Sequence, residues 1–185
     1  MWFSESIPVN IQIFNPDANL KKYVAFDLDY TLIKTKSGKK FPQNEDDWMW
    51  LSKNVPKKLE QFHNDGYHVI VVSNQSSKKV EDVANKVKQI FDNLSITTTV
   101  FICYGDEYRK PNCRVINEHI NPAFIEFYCG DACGRVGDFS NSDLLFAFNL
   151  GIKFLTPEDV FRDKNTSPYT IPPPLQLCGK PIPDN

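Results

Sequence analysis

The sequence lacks the long apolar segments that place a protein in a membrane. Nowhere does it approach the roughly 20 consecutive apolar residues of a membrane-spanning helix. Residues 1–16 mix Glu5, Asn10 and Gln12 among their apolar residues, and they have neither the basic region nor the apolar run of a signal peptide. The sequence therefore predicts no membrane association and no secretory signal.

A charge excess of one sign is also missing. The chain has 21 Lys and Arg residues against 23 Asp and Glu residues, which gives a formal net charge of −2. A protein that binds nucleic acid through its overall charge is strongly basic. The balance excludes that mode of binding, and any contact with nucleic acid depends on a local basic patch.

Cysteine is scarce and has no paired pattern. The five cysteines are an odd number without a C-x-x-C motif, and a chain of 185 residues is large enough to fold without disulfides. This pattern favours reduced thiols inside a cell. Cys129 and Cys133 are close enough in sequence to share a metal, but the further ligands of a zinc site have no candidate cluster. We therefore favour thiols in or near the core.

The hydrophobic pattern predicts one α/β domain. With 185 residues and 41% hydrophobic content, the chain suits a single core. Short runs rich in β-branched or aromatic residues predict buried strands at residues 22–26, 68–72, 98–103 and 124–129. Helical spacing predicts helices at residues 56–65, 80–91 and 144–150. Val9, Ile11 and Ile13 alternate with polar residues and predict an additional edge strand.

The alternation of strands and helices predicts a mostly parallel, Rossmann-like sheet with helices on both faces. We expect this domain to span residues 1–163, and we expect the proline-rich residues 164–185 to form a tail packed on it. Ligands of such sheets bind beyond the carboxyl ends of the strands. The active site is therefore expected at that edge.

Two acids follow the strand predicted at residues 22–26. Asp27 and Asp29 are separated by one residue, and residues two apart in a strand share a face. Neighbouring carboxylates at the end of a buried strand repel each other, and a bound divalent cation keeps them ionised. One carboxylate can then attack phosphorus and form an aspartyl-phosphate, while the other transfers the proton. The alternative is that the pair forms a turn or a helix cap.

Polar residues also follow the other predicted strands. Ser73 and Asn74 precede a helix N-terminus, where a hydroxyl and backbone N–H groups suit a phosphate, unless Ser73 only caps that helix. Lys110 can reach the same pocket as a point charge, unless it belongs to a solvated basic loop. Asp131 and Asp143 add the oxygen ligands that Mg²⁺ prefers. Each of these residues is a weak indication when taken alone. Together, and in this order along the chain, they predict a site for phosphate and Mg²⁺.

These motifs, in this order, resemble those of the haloacid dehalogenase superfamily of phosphotransferases, and the match spans nearly the whole domain. The resemblance implies that Asp27 is the nucleophile and that Asp29 is the general acid and base. It also implies that Ser73 and Lys110 hold the phosphoryl oxygens.

The same resemblance implies a Mg²⁺ site, whose ligands we predict at Asp27, Asp29, Asp131 and Asp143. Asp138 is the rival of Asp143 for the last position. We favour Asp143 because Gly151 follows it by eight residues, at the end of the helix that usually follows this acid in the superfamily.

A narrower resemblance is to the phosphatase domain of polynucleotide kinase/3′-phosphatase, a family that prepares broken DNA ends. The similar stretches are AFDLD at 25–29, TKSGKKFP at 35–42 with Asp47 and Trp48, SNQ at 73–75, YRKP at 108–111, GDACGR at 130–135, DFS at 138–140, SDLLFA at 142–147 and TPE at 156–158. The resemblance implies a Mg²⁺-dependent phosphatase for 3′-phosphates on DNA ends, in DNA end processing and strand-break repair. Such an enzyme is expected in the nucleus of a eukaryote, and otherwise in the cytoplasm.

The sequence departs from that family in two respects. Tyr30 stands where the family usually has glycine. The G-x-x-x-x-G-K-[ST] loop of a nucleotide kinase is absent, so the 5′-kinase half is missing. We therefore expect a stand-alone, monomeric 3′-phosphatase.

Basic and aromatic residues predict where the DNA end binds. We expect Lys39, Phe41, Arg109 and Arg135 to border the pocket, and Asn74 to contact the substrate. A further basic set comprises Lys34, Lys36, Lys40, Lys78, Lys79 and Arg114. Lysines and an aromatic ring suit a single-stranded end, whose phosphates they pair and whose terminal base can stack. For each lysine the alternative is a solvated surface charge.

The insertion at residues 34–47 is too small for a covering cap domain, and an open site favours a polymeric end. A phosphatase for a small phosphorylated metabolite would share every catalytic residue, so that alternative stays open. Phosphoprotein hydrolysis also remains an alternative. A module that only binds DNA ends or partner proteins is disfavoured by the intact set of Asp27, Asp29, Lys110 and Asp131.

Overall fold

The computed structural model describes residues 8–76 and 80–162. The strands are β1 (Val9–Phe14), β2 (Lys22–Phe26), β3 (Ile33–Lys34), β4 (Met49–Trp50), β5 (Tyr67–Asn74), β6 (Thr98–Cys103), β7 (Ile125–Cys129) and β8 (Lys153–Leu155). The helices are α1 (Asn54–Asn64), α2 (Val80–Phe91), α3 (Arg114–Asn117), α4 (Ser142–Leu150) and α5 (Pro157–Phe161), with a 3-10 helix at Pro122–Phe124.

A six-stranded sheet forms the centre of the domain, in the order β1-β6-β5-β2-β7-β8. Strand β1 is antiparallel to β6 at one edge, and the other neighbouring strands of this sheet are parallel. The predicted fold class, a mostly parallel α/β sheet, is therefore confirmed. The edge strand predicted from Val9, Ile11 and Ile13 is β1.

Helices cover both faces of the sheet. Successive residues of a buried strand point to opposite faces, so they alternate between the two cores that these helices form with the sheet. Val24 and Phe26 belong to one core, together with apolar residues of α1, α2 and α5. Ala25, between them, belongs to the other core, together with residues of α3 and α4. The end of β2 is thus fixed from both sides, and this rigid strand delivers the residues that follow it.

The short elements are those that the sequence did not predict. Strands β3, β4 and β8 have only two or three residues, too few for an alternating pattern. Strand β7 begins one residue later than predicted because Phe124 ends the 3-10 helix. Helix α5 has a recognisable signal, a capping box between Thr156 and Asp159.

The insertion after β2 is a loop closed at its base by the pairing of β3 with β4. We call residues 35–48 the insertion loop. Asp47 organises it: its carboxylate accepts from Ser37 N–H at 2.8 Å, from the Ser37 hydroxyl at 2.7 Å and from Gln43 N–H at 2.9 Å. These bonds, with the Ser37 hydroxyl first, lower the pKa of Asp47 to about 2. The loop therefore has a stable base, whereas its tip at residues 38–41 is exposed.

The predicted tail at residues 164–185 and Cys178 lie outside the described residues. Cys103, Cys129 and Cys133 are buried free thiols and Cys113 is half-buried. Within residues 8–76 and 80–162, no helix has the length and apolar character needed to cross a membrane.

Candidate active site

The candidate active site lies at the carboxyl ends of β2, β5 and β7. Asp27 follows β2 directly, and its N–H donates to the carbonyl of Cys129, the last residue of β7, at 2.8 Å. The chain then turns sharply, because Tyr30 N–H donates to Ile33 O at 2.7 Å and Tyr30 has a φ of 61°. Holding a residue other than glycine in that left-handed region costs on the order of 1–3 kcal/mol. This turn keeps the D-x-D-x-T motif at the sheet edge.

Three acids from distant parts of the chain meet beside the turn. Carboxylate oxygens of Asp27, Asp131 and Asp143 lie within 4.8 Å of one another. Thr31 fixes Asp131, because the Thr31 hydroxyl accepts from Asp131 N–H at 3.1 Å. Asp143 approaches closely because Gly130 has no side chain: a Cβ at Gly130 would lie 2.4 Å from the Asp143 carboxyl carbon. We call these residues the three-acid group.

Lys110 joins the three-acid group from the segment that follows β6. Its ammonium donates to Asp27 Oδ1 at 2.6 Å, to Tyr128 Oη at 2.7 Å and to Asp143 Oδ1 at 2.7 Å. A lysine ammonium has three donors, so each is used. Tyr128 also donates to Asp143 Oδ1 at 3.0 Å. The buried lysine is therefore fixed in position within the site.

Negative charge predominates in the three-acid group. Burial raises the pKa of Asp27 well above its ordinary value; Lys110 opposes this shift, whereas Asp143 and Asp131 add to it. Burial and the Asp143 charge raise the pKa of Asp131 to about 7. Burial lowers the pKa of Lys110, but pairing with Asp143 and Asp27 outweighs burial and raises it, so Lys110 stays charged. A divalent cation would relieve this repulsion, and Mg²⁺ prefers oxygen ligands of this kind. The residues present therefore fit the expected Mg²⁺.

The carboxylate of Asp29 is not a member of the three-acid group, and the place of Asp29 among the metal ligands stays a prediction. Strand β2 ends at Phe26, so the alternation of strand side chains does not extend to Asp29. Its Oδ2 accepts from Gln75 Nε2 at 2.5 Å, and its Oδ1 accepts from Lys86 Nζ at 3.3 Å. The Asp29 carboxylate is thus held by residues that follow β5 and lie on α2.

Ser73 and Asn74 end β5 beside the acids. Ser73 is buried, and its hydroxyl accepts from Gln75 Nε2 at 2.7 Å. The Asn74 side chain was predicted to contact the substrate, but both of its ends bind the Lys110 backbone. Its Oδ1 accepts from Lys110 N–H at 2.8 Å, and its Nδ2 donates to Lys110 O at 3.0 Å. Asn74 therefore fixes the segment that carries Lys110.

Two other predicted substrate contacts make different interactions. Arg135 forms ion pairs with Asp138 at 3.1 Å and with Glu158 at 3.3 Å, and it is not part of the cavity wall. Because Asp138 pairs with Arg135, the rival metal ligand also lies outside the three-acid group. Lys39 donates to Gln43 Oε1 at 2.7 Å and is likewise not part of the wall. Arg135 is thus held by two ion pairs and Lys39 by a hydrogen bond to a neutral amide, and their contact with a substrate stays a prediction.

A cavity of about 1000 Å³ adjoins the acids. Arg109 and Phe41 line it as predicted, and Lys34 and Lys40 of the further basic set also line it. The Lys40 ammonium lies 4.5 Å from the ring centroid of Phe139 and 5.8 Å from that of Phe41. Phe41 is 64% exposed and Phe139 is 73% exposed. The wall thus combines a cation with two exposed rings.

Of the remaining basic residues, Lys36 is exposed and Arg114 pairs with Glu118 at 2.7 Å. Neither is part of the cavity wall. Lys78 and Lys79 lie outside the described residues.

No role was predicted from the sequence for four residues of the site, which are Gln75, Lys86, Tyr128 and Phe139. Lys86 had a usable signal, because it falls at helical spacing among Val83, Val87 and Ile90 on the buried face of α2. A lysine on such a face needs a partner. Tyr128 had no signal of this kind, since an aromatic residue in a buried strand is ordinary core.

The chain matches known proteins over most of its described length. The family model described as polynucleotide kinase 3 phosphatase matches residues 22–161. A bifunctional polynucleotide phosphatase/kinase of Schizosaccharomyces pombe is 40% identical over 154 residues, which cover 76% of this chain and 38% of that protein. A polynucleotide 3′-phosphatase of Saccharomyces cerevisiae is 29% identical over 206 residues, which cover 74% of this chain and 86% of that protein.

A solved structure shows the same fold. It is that of D,D-heptose 1,7-bisphosphate phosphatase from B. bronchiseptica, complexed with magnesium and phosphate. It superimposes with a TM-score of 0.54 at 14% identity, covering 80% of this chain and 90% of that one.

The S. pombe protein is much longer than the matched segment, since the chain spans 38% of its length. The family match covers most of the sheet and each acid of the site: the chain belongs to the polynucleotide kinase 3 phosphatase family.

Proposed function

We propose that this chain is a Mg²⁺-dependent polynucleotide 3′-phosphatase that removes 3′-phosphate from DNA ends through an aspartyl-phosphate intermediate. One observation carries the proposal: a buried carboxylate, Asp27, lies with two further acids and a charged lysine beside a cavity. The names of the S. pombe and S. cerevisiae relatives support the substrate class. Such an enzyme would act in DNA end processing and strand-break repair.

In the first step Asp27 attacks the 3′-phosphorus, so that a bond forms between a carboxylate oxygen and phosphorus while the bond from phosphorus to the 3′-oxygen breaks. Asp29 donates its proton to the departing 3′-oxygen. The Ser73 hydroxyl and the Lys110 ammonium would hold the phosphoryl oxygens, with Lys110 exchanging one of its three present acceptors for a phosphoryl oxygen. Asp27, Asp131 and Asp143 would hold a Mg²⁺ ion, which supplies positive charge next to the transferred group.

In the second step the phosphate leaves Asp27. Asp29, now deprotonated, takes a proton from water as the water oxygen attacks phosphorus. The bond between phosphorus and the Asp27 carboxylate breaks, and inorganic phosphate is released. Asp27 and Asp29 thereby return to their starting states.

Lys86 supports this cycle by holding Asp29. Lys86 is 2% exposed and lies on the apolar face of α2, where an isolated charge is costly. The contact with Asp29 Oδ1 at 3.3 Å is its ion pair. Gln75 holds the other carboxylate oxygen at 2.5 Å. Asp29 is thus fixed at both oxygens. A general acid and base needs such a fixed position, because it must reach first the 3′-oxygen and then a water molecule.

Replacing Lys86 with methionine should lower kcat about tenfold to 100-fold with little change in KM, because Asp29 loses one of its two supports. Thermal stability should change little, because methionine removes the cost of burying the Lys86 ammonium, while the remaining Asp29 side chain is 38% exposed and stays in contact with water. Steady-state kinetics and thermal unfolding measure both effects. Lys88→Met is the matched control, because Lys88 is on the same helix and its side chain is 67% exposed. An unchanged kcat in Lys86→Met would remove Lys86 from the mechanism.

The cavity wall supports a polymeric substrate. Lys40 can pair with a phosphate, and the rings of Phe41 and Phe139 offer surfaces on which a base can stack. The insertion loop is short, and the acids stay accessible through the cavity. These features favour the end of a DNA strand over a small metabolite.

With Mg²⁺ present, the protein should release phosphate from a 3′-phosphorylated single-stranded oligonucleotide. We expect kcat/KM at least about tenfold higher than for a nucleoside 3′-monophosphate, because the monophosphate lacks the neighbouring phosphates and bases. Phosphate release measured with each substrate, with Mg²⁺ or with a chelator, tests this. The chelator should abolish turnover.

A 5′-phosphorylated oligonucleotide of the same sequence is the control for the position of the phosphate, and little release is expected from it. Equal kcat/KM for the oligonucleotide and the nucleoside 3′-monophosphate would favour a small-metabolite phosphatase. Turnover that persists in the chelator would contradict the metal requirement.

A further inference from the structure

We propose that Tyr30 is a positioning residue that fixes the tip of the insertion loop and thereby sets the preference for oligonucleotide over small phosphate esters. The inference rests on the proposed function and deepens it. It concerns a side chain that directly follows the catalytic acid Asp29 in sequence, at a position whose backbone conformation suits glycine.

The backbone at Tyr30 does not require a tyrosine. Its φ of 61° is in the region that glycine adopts without strain. Its N–H bond to Ile33 O at 2.7 Å is a backbone bond that any residue except proline can make. A strained residue persists when its surroundings hold it, and such residues cluster at functional sites. The side chain of Tyr30 is therefore the part that needs explanation.

The side chain of Tyr30 connects the catalytic turn to the loop tip. Its hydroxyl donates to Lys40 O at 2.8 Å and lies 3.3 Å from Lys39 O. The other side chains bonded to the backbone of this stretch belong to the insertion loop itself: Thr35 donates to Lys39 O at 2.6 Å, Gln43 Nε2 donates to Phe41 O at 3.3 Å, and the Ser37 hydroxyl accepts from Lys39 N–H at 3.3 Å. Because residues 38–41 are exposed, packing contributes little to the position of the tip. Tyr30 is the tether that joins this tip to the residues beside the nucleophile.

The tethered tip carries the substrate-facing groups of the cavity wall. Lys40 and Phe41 belong to it, and the Lys40 ammonium lies 4.5 Å from the ring centroid of Phe139 on the opposite loop. Tyr30 itself lines the same cavity and is 39% exposed. Its hydrogen bond thus fixes the distance between the scissile phosphate and the groups that would contact the rest of the strand. A small ester does not reach those groups.

The experiment compares Tyr30→Phe, which removes only the hydroxyl, with Tyr30→Gly, which also relieves the backbone strain. We measure kcat/KM for a 3′-phosphorylated oligonucleotide and for p-nitrophenyl phosphate. In Tyr30→Phe the ratio of the two should fall about fivefold, mainly through KM for the oligonucleotide, as expected for one lost hydrogen bond. In Tyr30→Gly it should fall at least as far. Tyr23→Phe, at the opposite end of β2, is the matched control and should keep the ratio.

Limited trypsin cleavage after Lys39 and Lys40, read by mass spectrometry, tests the tether without any substrate. Cleavage should be about fivefold faster in both Tyr30 variants than in wild type and in Tyr23→Phe. Unchanged cleavage would refute the tether, and faster cleavage with an unchanged ratio would refute its role in specificity. A ratio kept or raised in Tyr30→Gly would assign Tyr30 to the turn alone. If wild type hydrolyses p-nitrophenyl phosphate but no oligonucleotide, the proposed function fails and the specificity role fails with it, whereas cleavage still decides the tether.

Discussion

Replacing Asp27 with asparagine is expected to lower kcat about 1,000-fold or more while the chain stays folded. Asparagine has the same shape, but its neutral amide oxygen is a poor nucleophile for phosphorus. Folding should not suffer, because burial raises the pKa of Asp27 and so disfavours its charged form. A neutral side chain also reduces repulsion from Asp143 and Asp131. Phosphate release and thermal unfolding are the two measurements.

A covalent readout separates loss of the nucleophile from loss of substrate binding. Wild type, quenched in acid during turnover of an oligonucleotide with a labelled 3′-phosphate, should retain label on the protein, and Asp27→Asn should not. Asp65→Asn is the matched control, since Asp65 is exposed at the end of α1. A variant that keeps more than about one hundredth of the wild-type kcat, or that still becomes labelled, would refute the assignment of Asp27.

The fold was predictable wherever buried strands were long enough to show their pattern. Strand β2 and strand β6 have the predicted bounds, and β5 is longer than predicted at both ends. The parallel order followed from the alternation of these strands with helices. Strand β8 could not be predicted, because its three residues pair with β7 through backbone bonds that carry no sequence pattern.

The site was predictable to the extent that residues directly follow a strand. Asp27 and Asp131 follow β2 and β7 closely, and strand direction alone brings them to one edge. Asp29 was placed by strand alternation, which stops at Phe26, so its partners were missed. Lys86 enters from α2, and only the rotation of that helix places it in the site.

The loop contacts depended on charge pairing that the sequence does not reveal. Arg135 was predicted at the substrate, but Asp138 and Glu158 hold it away from the cavity wall. Phe139 lines the cavity from the same loop region; the family resemblance at residues 138–140 included it, but an aromatic residue in a polar loop has no periodic neighbours from which its place in the cavity wall could be predicted. Sequence spacing thus located the acids better than it located the surface that contacts the substrate.

Replacing Gly130 with alanine should lower kcat/KM about 100-fold or more, although Gly130 takes no part in the chemistry. The added Cβ would lie 2.4 Å from the carboxyl carbon and 2.5 Å from the Cβ of Asp143. Asp143 cannot simply rotate away, because it is 1% exposed and bonded to Lys110, Tyr128 and Ala132 N–H. The backbone or the whole Asp143 side chain must move. The three-acid group should then come apart.

The stability of Gly130→Ala should fall by about 1–3 kcal/mol from overpacking, and the stabilisation by Mg²⁺ that we expect for wild type should be lost. Thermal unfolding with and without Mg²⁺ measures both. Gly66→Ala is the matched control: with a φ of 89° and no atom within 4 Å of its added Cβ, it tests the cost of strained backbone away from the acids. It should lose stability but keep activity and the Mg²⁺ effect. If Gly130→Ala kept them too, close approach of Asp143 to the strand end would not be what assembles the metal site.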